Sequence, residues 1–341
     1  MNPIEHAKNR ITMKENGVLN TYASDYPGTY GIDDSWSLQE FVKKFRIKIV
    51  KYDKLEMEFD LIGIHAAIVN AFRRILLSEV PSMAIEKVFI YSNTSLLQDE
   101  VLAHRLGLIP LKADARLFEY RREDDEEGTE QDTLEFELKL KCSWNPKAKD
   151  TAGAPVDEKK INSKVYTKHI KWLPIGSQKD IYTAEEVGPI HEDILIAKMV
   201  PGQELDLKLH AIKSIGRDHA KFSPVATAFY RLLPEITLTR EVEGEQAEKL
   251  QKCFSPGVIG LEETKHGKNR AVVLDARYDT CSRNVYRYDD IKDAVRMDRV
   301  RDHFIFTIES VGAMTPDVLF IEAIKVLKQK CRSFLEELRH I

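Results

Sequence analysis

Cysteine is scarce and scattered. The four, Cys142, Cys253, Cys281 and Cys331, form no CxxC pair, so neither a disulfide framework nor a zinc ribbon with four close ligands is expected, and a reducing compartment is. No apolar run reaches the roughly 20 residues that a bilayer span requires, and the opening MNPIEHAKNR lacks the apolar core of a secretory leader. Without secretion, the sequon Asn93-Thr94-Ser95 is accidental. Neither sign of charge dominates: 51 Lys and Arg against 55 Asp and Glu leave a formal charge of -4, too little to draw the whole chain onto nucleic acid or lipid. The recurrent catalytic patterns are missing too. There is no GxxxxGK(S/T) phosphate loop, no GxGxxG turn, no GxSxG elbow, no HExxH helix and no EF-hand loop. The acids of residues 119–132 fall in a solvated loop rather than in a rigid turn that holds a metal. Catalysis by this chain itself is not expected.

What the chain does have is amphipathic structure. With 341 residues, 43% hydrophobic and 31% charged, it can bury a substantial core spread over two or three domains. The dominant stretch is 315–341. Thr315, Pro316 and Asp317 are helix-start signals. Phe320, Ile324, Leu327, Cys331, Phe334 and Leu338 then recur in steps of four and three, forming one stripe that Ile321, Ala323 and Leu335 widen. Such a stripe docks onto its own domain, onto a partner helix, or onto both.

Residues 1–40 have scattered aromatics (Tyr22, Tyr26, Tyr30, Trp36) and no lasting period, which fits an extended arm pinned onto another surface or, equally, loose local packing. Phe45, Ile47 and Ile49, then Leu55, Met57, Phe59 and Leu61, alternate with polar neighbours, which predicts two strands joined near 52–54. A helix is expected over 64–79, with Ile64, Ile68, Phe72, Ile75 and Leu76 on one side and Ala66, Ala67 and Ala71 allowing close approach. Arg73 and Arg74, being consecutive, point about 100° apart. A strand at 88–91 precedes a short helix capped by Asp99 and ended by Gly107, which carries His104 and Arg105.

Further strands are expected at 134–140, 165–173, 194–199, 204–212, 226–232, 271–274 and 303–309, with helices at 241–252 and 291–297. Residues 145–163 read as a flexible excursion. The basic patches at 73–74, 213–221 and 296–301 suit phosphates or acidic protein neighbours, and the acidic balance favours the latter. The chain thus opens with strand, strand, helix and ends with strand, helix, a layout consistent with one domain built from both ends around an insert.

Four segments carry a resemblance: AAIVNAFRRILLSEVPSMAIEKV (66–88), QDEVLAHRLGLIPL (98–111), GRDHAKFSPVATAFYRLLP (216–234) and DHFIFTIESVGAMTPDVLFIEAIKVL (302–327). Together with YPGTYGIDDSW they are similar to the alpha-like family of multisubunit RNA polymerases. Within that family, VYTKHIKWLPIG (165–176) and the acidic loop are most like the branch shared by nuclear polymerases I and III; the alternative is the polymerase II branch.

The resemblance implies an α+β fold: a discontinuous dimerisation domain (41–85 and 301–341) after an arm (1–40), with an inserted β-rich domain (86–240) and a ferredoxin-like module (241–300). It implies a non-catalytic scaffold subunit in the nucleus, including the nucleolus, with a smaller alpha-like subunit as obligate partner, contacts to the second-largest subunit, and little or no DNA contact. Transcripts made by such enzymes are ribosomal RNA precursor, 5S RNA and transfer RNA.

By the same resemblance, Phe45, Ile68, Phe72, Ile75, Phe320, Ile324, Leu327, Cys331, Phe334 and Leu338 are the pairing residues, some of them serving intrachain packing, in an interface on the order of 2,000 Å². Arg73 and Arg74 take the place from which relatives engage the second-largest subunit, and His104, Arg105, His219, Lys221 and Phe222 form a second surface for neighbours. Residues 89–141 hold no cysteine, so the zinc site of polymerase II relatives is not expected. Cys253 and Cys281 alone cannot ligate the four-iron cluster of some archaeal relatives, so the module is expected without it.

Overall fold

The computed structural model describes residues 3–21, 28, 31, 35–122, 127–146, 159–183, 185–264 and 267–339. Tyr22, Tyr26 and Tyr30, much of the acidic loop and most of the excursion expected at 145–163 lie outside the described residues.

Helix α1 (Pro3–Asn9) leads into β1 (Arg10–Met13) and β2 (Val18–Leu19). Helix α2 (Leu38–Lys44), strands β3 (Arg46–Tyr52) and β4 (Glu56–Ile62), helix α3 (Ala66–Ser78) and the long β5 (Pro81–Asn93) follow. Next come α4 (Asp99–Gly107), β6 (Leu111–Lys112), β7 (Thr133–Lys141) and the short strands β8 (Ser143–Trp144), β9 (Lys160–Ile161), β10 (Lys164–Tyr166) and β11 (Lys171–Leu173). Helix α5 (Gln178–Ile181), β12 (Gly188–Pro189) and β13 (Leu195–Lys198) precede two long strands, β14 (Glu204–Ile215) and β15 (Val225–Leu238). The remainder is α6 (Glu245–Lys252), β16 (Ile259–Glu263), β17 (Asn269–Val273), β18 (Val295–Ser310) and α7 (Pro316–Arg339). The fold is mixed helix and sheet, and the registers that are resolved between strands are antiparallel.

Two compact units divide the chain. The first comprises 1–51, 58–70 and 229–307, and the second 52–57, 71–228 and 308–341. The first is built on a sheet of order β2-β1-β18-β4-β3, with β15 also pairing β18. Phe59 and Phe306 stack at 5.4 Å, and Tyr230 meets Phe304 edge-on at 5.6 Å. These rings are the apolar faces of strands whose alternation was legible in sequence. Gly63 ends β4 at φ +75°, and a Cβ there would lie 2.7 Å from the Lys44 carbonyl oxygen. Both conditions require glycine.

In the same unit a second core gathers Val242, Ala247, Leu250, Val258, Ile259, Val285 and Ile291 around α6, β16 and β17. The start of the chain departs from the extended arm expected of it. Strand β1 pairs with β18 (Arg10 opposite Val300, Met13 opposite Met297). The Thr12 hydroxyl donates to Asp298 Oδ1 at 2.7 Å, and the Tyr286 hydroxyl donates to the Met13 carbonyl at 2.7 Å. A four-residue strand with polar alternate positions is too short to leave a period in sequence. The helix expected at 291–297 is instead a single 3-10 turn, Lys292–Ala294, after which β18 starts at Val295.

The second unit contains a four-stranded sheet of order β11-β7-β14-β5. Leu134, Phe136 and Leu138 on β7 and Leu205, Leu207, Leu209 and Ala211 on β14 are buried, with Leu102 and Leu106 of α4 in the same cluster. This is the period-two pattern with one face covered by a helix. The continuous strand expected at 165–173 is broken by a 3-10 turn at Thr167–His169, where the His169 ring accepts from the Tyr166 backbone N–H at 3.0 Å.

Candidate partner interface

Helix α7 starts as its sequence prescribes. Leu319 N–H bonds the Thr315 carbonyl at 3.0 Å, and Tyr52 Oη donates to Asp317 Oδ1 at 3.0 Å. Hydrogen bonds from the Thr315 hydroxyl first, and then from Tyr52, hold the Asp317 carboxyl below its usual range. That keeps a negative charge at the helix N-terminus, where the macrodipole favours it.

Along its 24 residues the helix changes environment. Leu319, Phe320 and Ala323 are buried, and the Phe320 ring meets Phe72 of α3 edge-on at 5.2 Å. Beyond them Ile324, Cys331, Phe334 and Leu338 are exposed, together with Ile321 and Leu335, while Leu327 is half-buried. Phe320 keeps 7% of its surface and Phe334 68%. On α3, Phe72 and Ile75 are buried and Ile68 is exposed. Phe45, at the junction of α2 and β3, is half-buried and stacks on Phe41 at 5.2 Å.

Of the ten residues expected to pair, then, Phe72, Ile75 and Phe320 pack within the chain, Phe45 and Leu327 are half-buried, and Ile324, Cys331, Phe334 and Leu338 on α7, like Ile68 on α3, are exposed. Exposed apolar side chains repeated along one helix are the feature that a docking surface needs.

Arg73 is half-buried and Arg74 exposed near the end of α3. There the Ser78 hydroxyl donates to the Arg74 carbonyl at 2.7 Å, and Arg217 N–H caps the Ser78 carbonyl at 2.9 Å.

The HRLGLIP and DHAKFSP segments, more than 100 residues apart in the chain, come together. The His104 and His219 rings meet edge-on at 6.3 Å. Lys221 Nζ donates to the Ile85 carbonyl at 2.9 Å, pairs with Glu86 and lies over the Phe222 ring at 5.2 Å. Phe222 is buried, and its carbonyl accepts from the Ser82 hydroxyl at 2.7 Å. Arg105 donates from Nε to the Ile196 carbonyl at 3.0 Å and from Nη2 to the Leu195 carbonyl at 2.7 Å. Lys221 and Phe222 therefore fasten this surface from within, Arg105 ties to the backbone at its exposed edge, and His104 and His219 are exposed beside it. Beside them a cavity of about 200 Å³ is lined by Met83, Leu108, Pro110 and Val311.

The basic patches are similarly engaged. Lys213 donates to the Phe118 carbonyl at 2.8 Å and lies 4.9 Å from the Tyr120 ring centroid, and burial lowers its pKa. Arg296 bonds Asp298 at 2.9 Å, and Arg299 bonds the Leu232 carbonyl at 2.9 Å.

A clamp escaped the sequence reading altogether. Arg277 binds Asp60 Oδ1 through Nη1 at 2.8 Å and Glu58 Oε1 through Nη2 at 2.8 Å. Burial opposes its charge, but the two carboxylates more than offset that, and its pKa is raised. No local pattern announces partners some 217 positions away.

Among the described residues no group of three or more His, Cys, Asp and Glu side chains could hold a metal ion. The buried Cys253 thiol donates to the Lys249 carbonyl at 3.2 Å, and burial raises its pKa. With Cys281 as the one other cysteine between 241 and 300, this donor set does not fit a cluster that needs four thiolates.

Comparison with known proteins agrees with this geometry. The RNA polymerase Rpb3/Rpb11 dimerisation domain matches residues 58–331. The chain is 56% identical over 98% of its length to the mouse and human proteins named DNA-directed RNA polymerases I and III subunit RPAC1, and covers 96% of each. It is 46% identical to the Saccharomyces cerevisiae protein of that name, over 94% of this chain and 96% of that one. A Dictyostelium discoideum RNA polymerase II subunit, rpb3, is 30% identical over 87% of this chain and 95% of that one. By the family match over residues 58–331 and the 56% identity over 98% of its length, this chain belongs to the RNA polymerase Rpb3/Rpb11 dimerisation family.

Proposed function

We propose that this chain is the larger alpha-like subunit of DNA-directed RNA polymerases I and III, a non-catalytic scaffold that pairs with a smaller alpha-like subunit and anchors the second-largest subunit. Identity supports the polymerase I and III branch over the polymerase II branch, at 56% against 30%. In this reading the products are ribosomal RNA precursor, 5S RNA and transfer RNA, the chain works in the nucleus and nucleolus, and catalysis and DNA contact belong to other subunits. Residues 41–85 and 301–341 form the discontinuous dimerisation domain. That assignment is supported by the sheet in which β4 lies between β18 and β3. Residues 86–240 are the insert and 241–300 a ferredoxin-like module without cluster or zinc. Arg73 and Arg74 face the second-largest subunit, where a bidentate guanidinium suits a carboxylate better than lysine does, and His104 and His219 mark a further contact.

The observation that carries the reading is the exposed stripe of Ile324, Phe334, Leu335 and Leu338 on a helix whose first turns are already packed. Phe334→Asp is the test. With a carboxylate in the pairing face, affinity for the smaller alpha-like chain is expected to fall at least about 100-fold, while the thermal melt of the chain alone is unchanged. Undiminished co-purification with that partner overturns the assignment of the stripe.

A further inference from the structure

The strand β3 ends its sheet. In the described structure it has one neighbour, β4, and all seven of its residues are exposed. Ile47 keeps 50% of its surface and Ile49 60%. An open edge of this length, with apolar side chains, is a template for another strand.

Its charge says which kind. Residues 43–54 carry Lys43, Lys44, Arg46, Lys48, Lys51 and Lys54 against a single acid, Asp53, in a chain whose formal charge is -4. The strand already paired with β3 alternates too, with two of its acids held by Arg277. In β4, Glu56, Glu58 and Asp60 alternate with Met57, Phe59 and Leu61. Side chains of a strand are shared by the neighbours on both of its sides, and opposite charges across strands are favourable where like charges are not. On β3 itself Arg46 and Lys48 fall on one face and Ile47 and Ile49 on the other, so a complementary strand sets carboxylates on the first face and apolar residues on the second. A second copy of this chain brings the same cations and is disfavoured.

We propose that the outer edge of β3 accepts a strand from a partner polypeptide in which carboxylates alternate with aliphatic or aromatic residues. This surface is β3 itself, so the proposal stands or falls independently of the pairing assigned to α3 and α7.

Backbone geometry provides the readout. Asp53 N–H bonds the Glu56 carbonyl at 2.8 Å. Alternation along an antiparallel pair then turns the N–H groups of Val50 and Lys48 away from β4. The experiment follows amide hydrogen exchange of the full chain with and without about 1 mM of a capped peptide of sequence LEMEFDLI, a concentration suited to a single added strand. The expected result is about tenfold slower exchange at Lys48 and Val50. The protection is lost with the double variant Arg46→Glu, Lys48→Glu, and also with the same peptide N-methylated at alternate residues, an arm that leaves the protein unaltered.

Absence of protection overturns the proposal, as does protection that survives N-methylation or charge reversal. Protection that rises with chain concentration without peptide assigns the edge to self-association instead. Equal protection by a single-stranded oligonucleotide assigns the basic row to phosphates. Either result also overturns the proposal.

Discussion

Phe320 and Phe334 lie on one stripe of one helix, about 21 Å apart along its axis, yet the first is packed against Phe72 and the second stands in solvent. Their sequence contexts are alike, each an aromatic followed by an aliphatic residue and a glutamate (Ile321-Glu322 and Leu335-Glu336). The difference lies in what is opposite. Near Phe320 the ring of Phe72 on α3 is available, whereas α3 is only 13 residues long against 24 for α7, and the longer helix outruns the shorter. A stripe that exceeds its intrachain partner is the physical origin of an interface: the same apolar repeat stabilises the chain at one end and leaves surface for a second chain at the other.

The comparison breaks most visibly at Phe320→Asp. A carboxylate placed against Phe72 is expected to cost several kcal/mol, about 4, and the chain should lose its cooperative urea transition. Since Phe334→Asp is expected to leave that transition in place, equal stability losses for the two variants would refute the division of the helix into a packed half and an open half.

A buried electrostatic anchor sharpens the same contrast. Arg277 is 12% exposed in its side chain, and its partner Asp60 is 5% exposed. Removing one member of such a pair leaves the other charge buried. Arg277→Met is expected to destabilise by about 3 kcal/mol, and adding Asp60→Asn should recover part of it. A urea melt unchanged by Arg277→Met would show that Glu58 and Asp60 reach solvent without the clamp.

These cases also mark where sequence stops being legible. The stripes of α3 and α7, the two strands around 52–54 and the alternation of β7 and β14 are local patterns, and periodicity records which way a side chain points. It does not record what stands opposite. Phe72, Ile75 and Phe320 have the same periodicity as Ile68, Ile324 and Phe334, and only the fold separates the two groups. The pairing of β1 with β18 and the clamp of Arg277 on β4 join residues more than 200 positions apart, with nothing in either short segment to reveal the other. His104 and His219 belong to separate motifs, and their contact is likewise a product of the fold. The bonds of Arg105 and Lys221 to backbone carbonyls are equally hidden, because a cation that bonds a distant carbonyl leaves no mark on the sequence around it.

The smallest expected effect concerns Lys330. Its Nζ reaches both oxygens of Glu79, at 2.7 and 2.8 Å, just past the end of α3. The lysine is half exposed and the glutamate more than a quarter exposed, so water and salt screen the pair, and Lys330→Ala is expected to cost about 0.5 kcal/mol or less, falling towards zero at 1 M salt. The measurement is a pair of urea melts at low and high ionic strength. A loss well above about 1 kcal/mol would mean that the outer half of α7 depends on this tether. The open stripe would then be a conditional surface, held in place by one ion pair; a negligible loss leaves helix α7 itself, through its packed first turns, as the support on which Phe334 and Leu338 are presented.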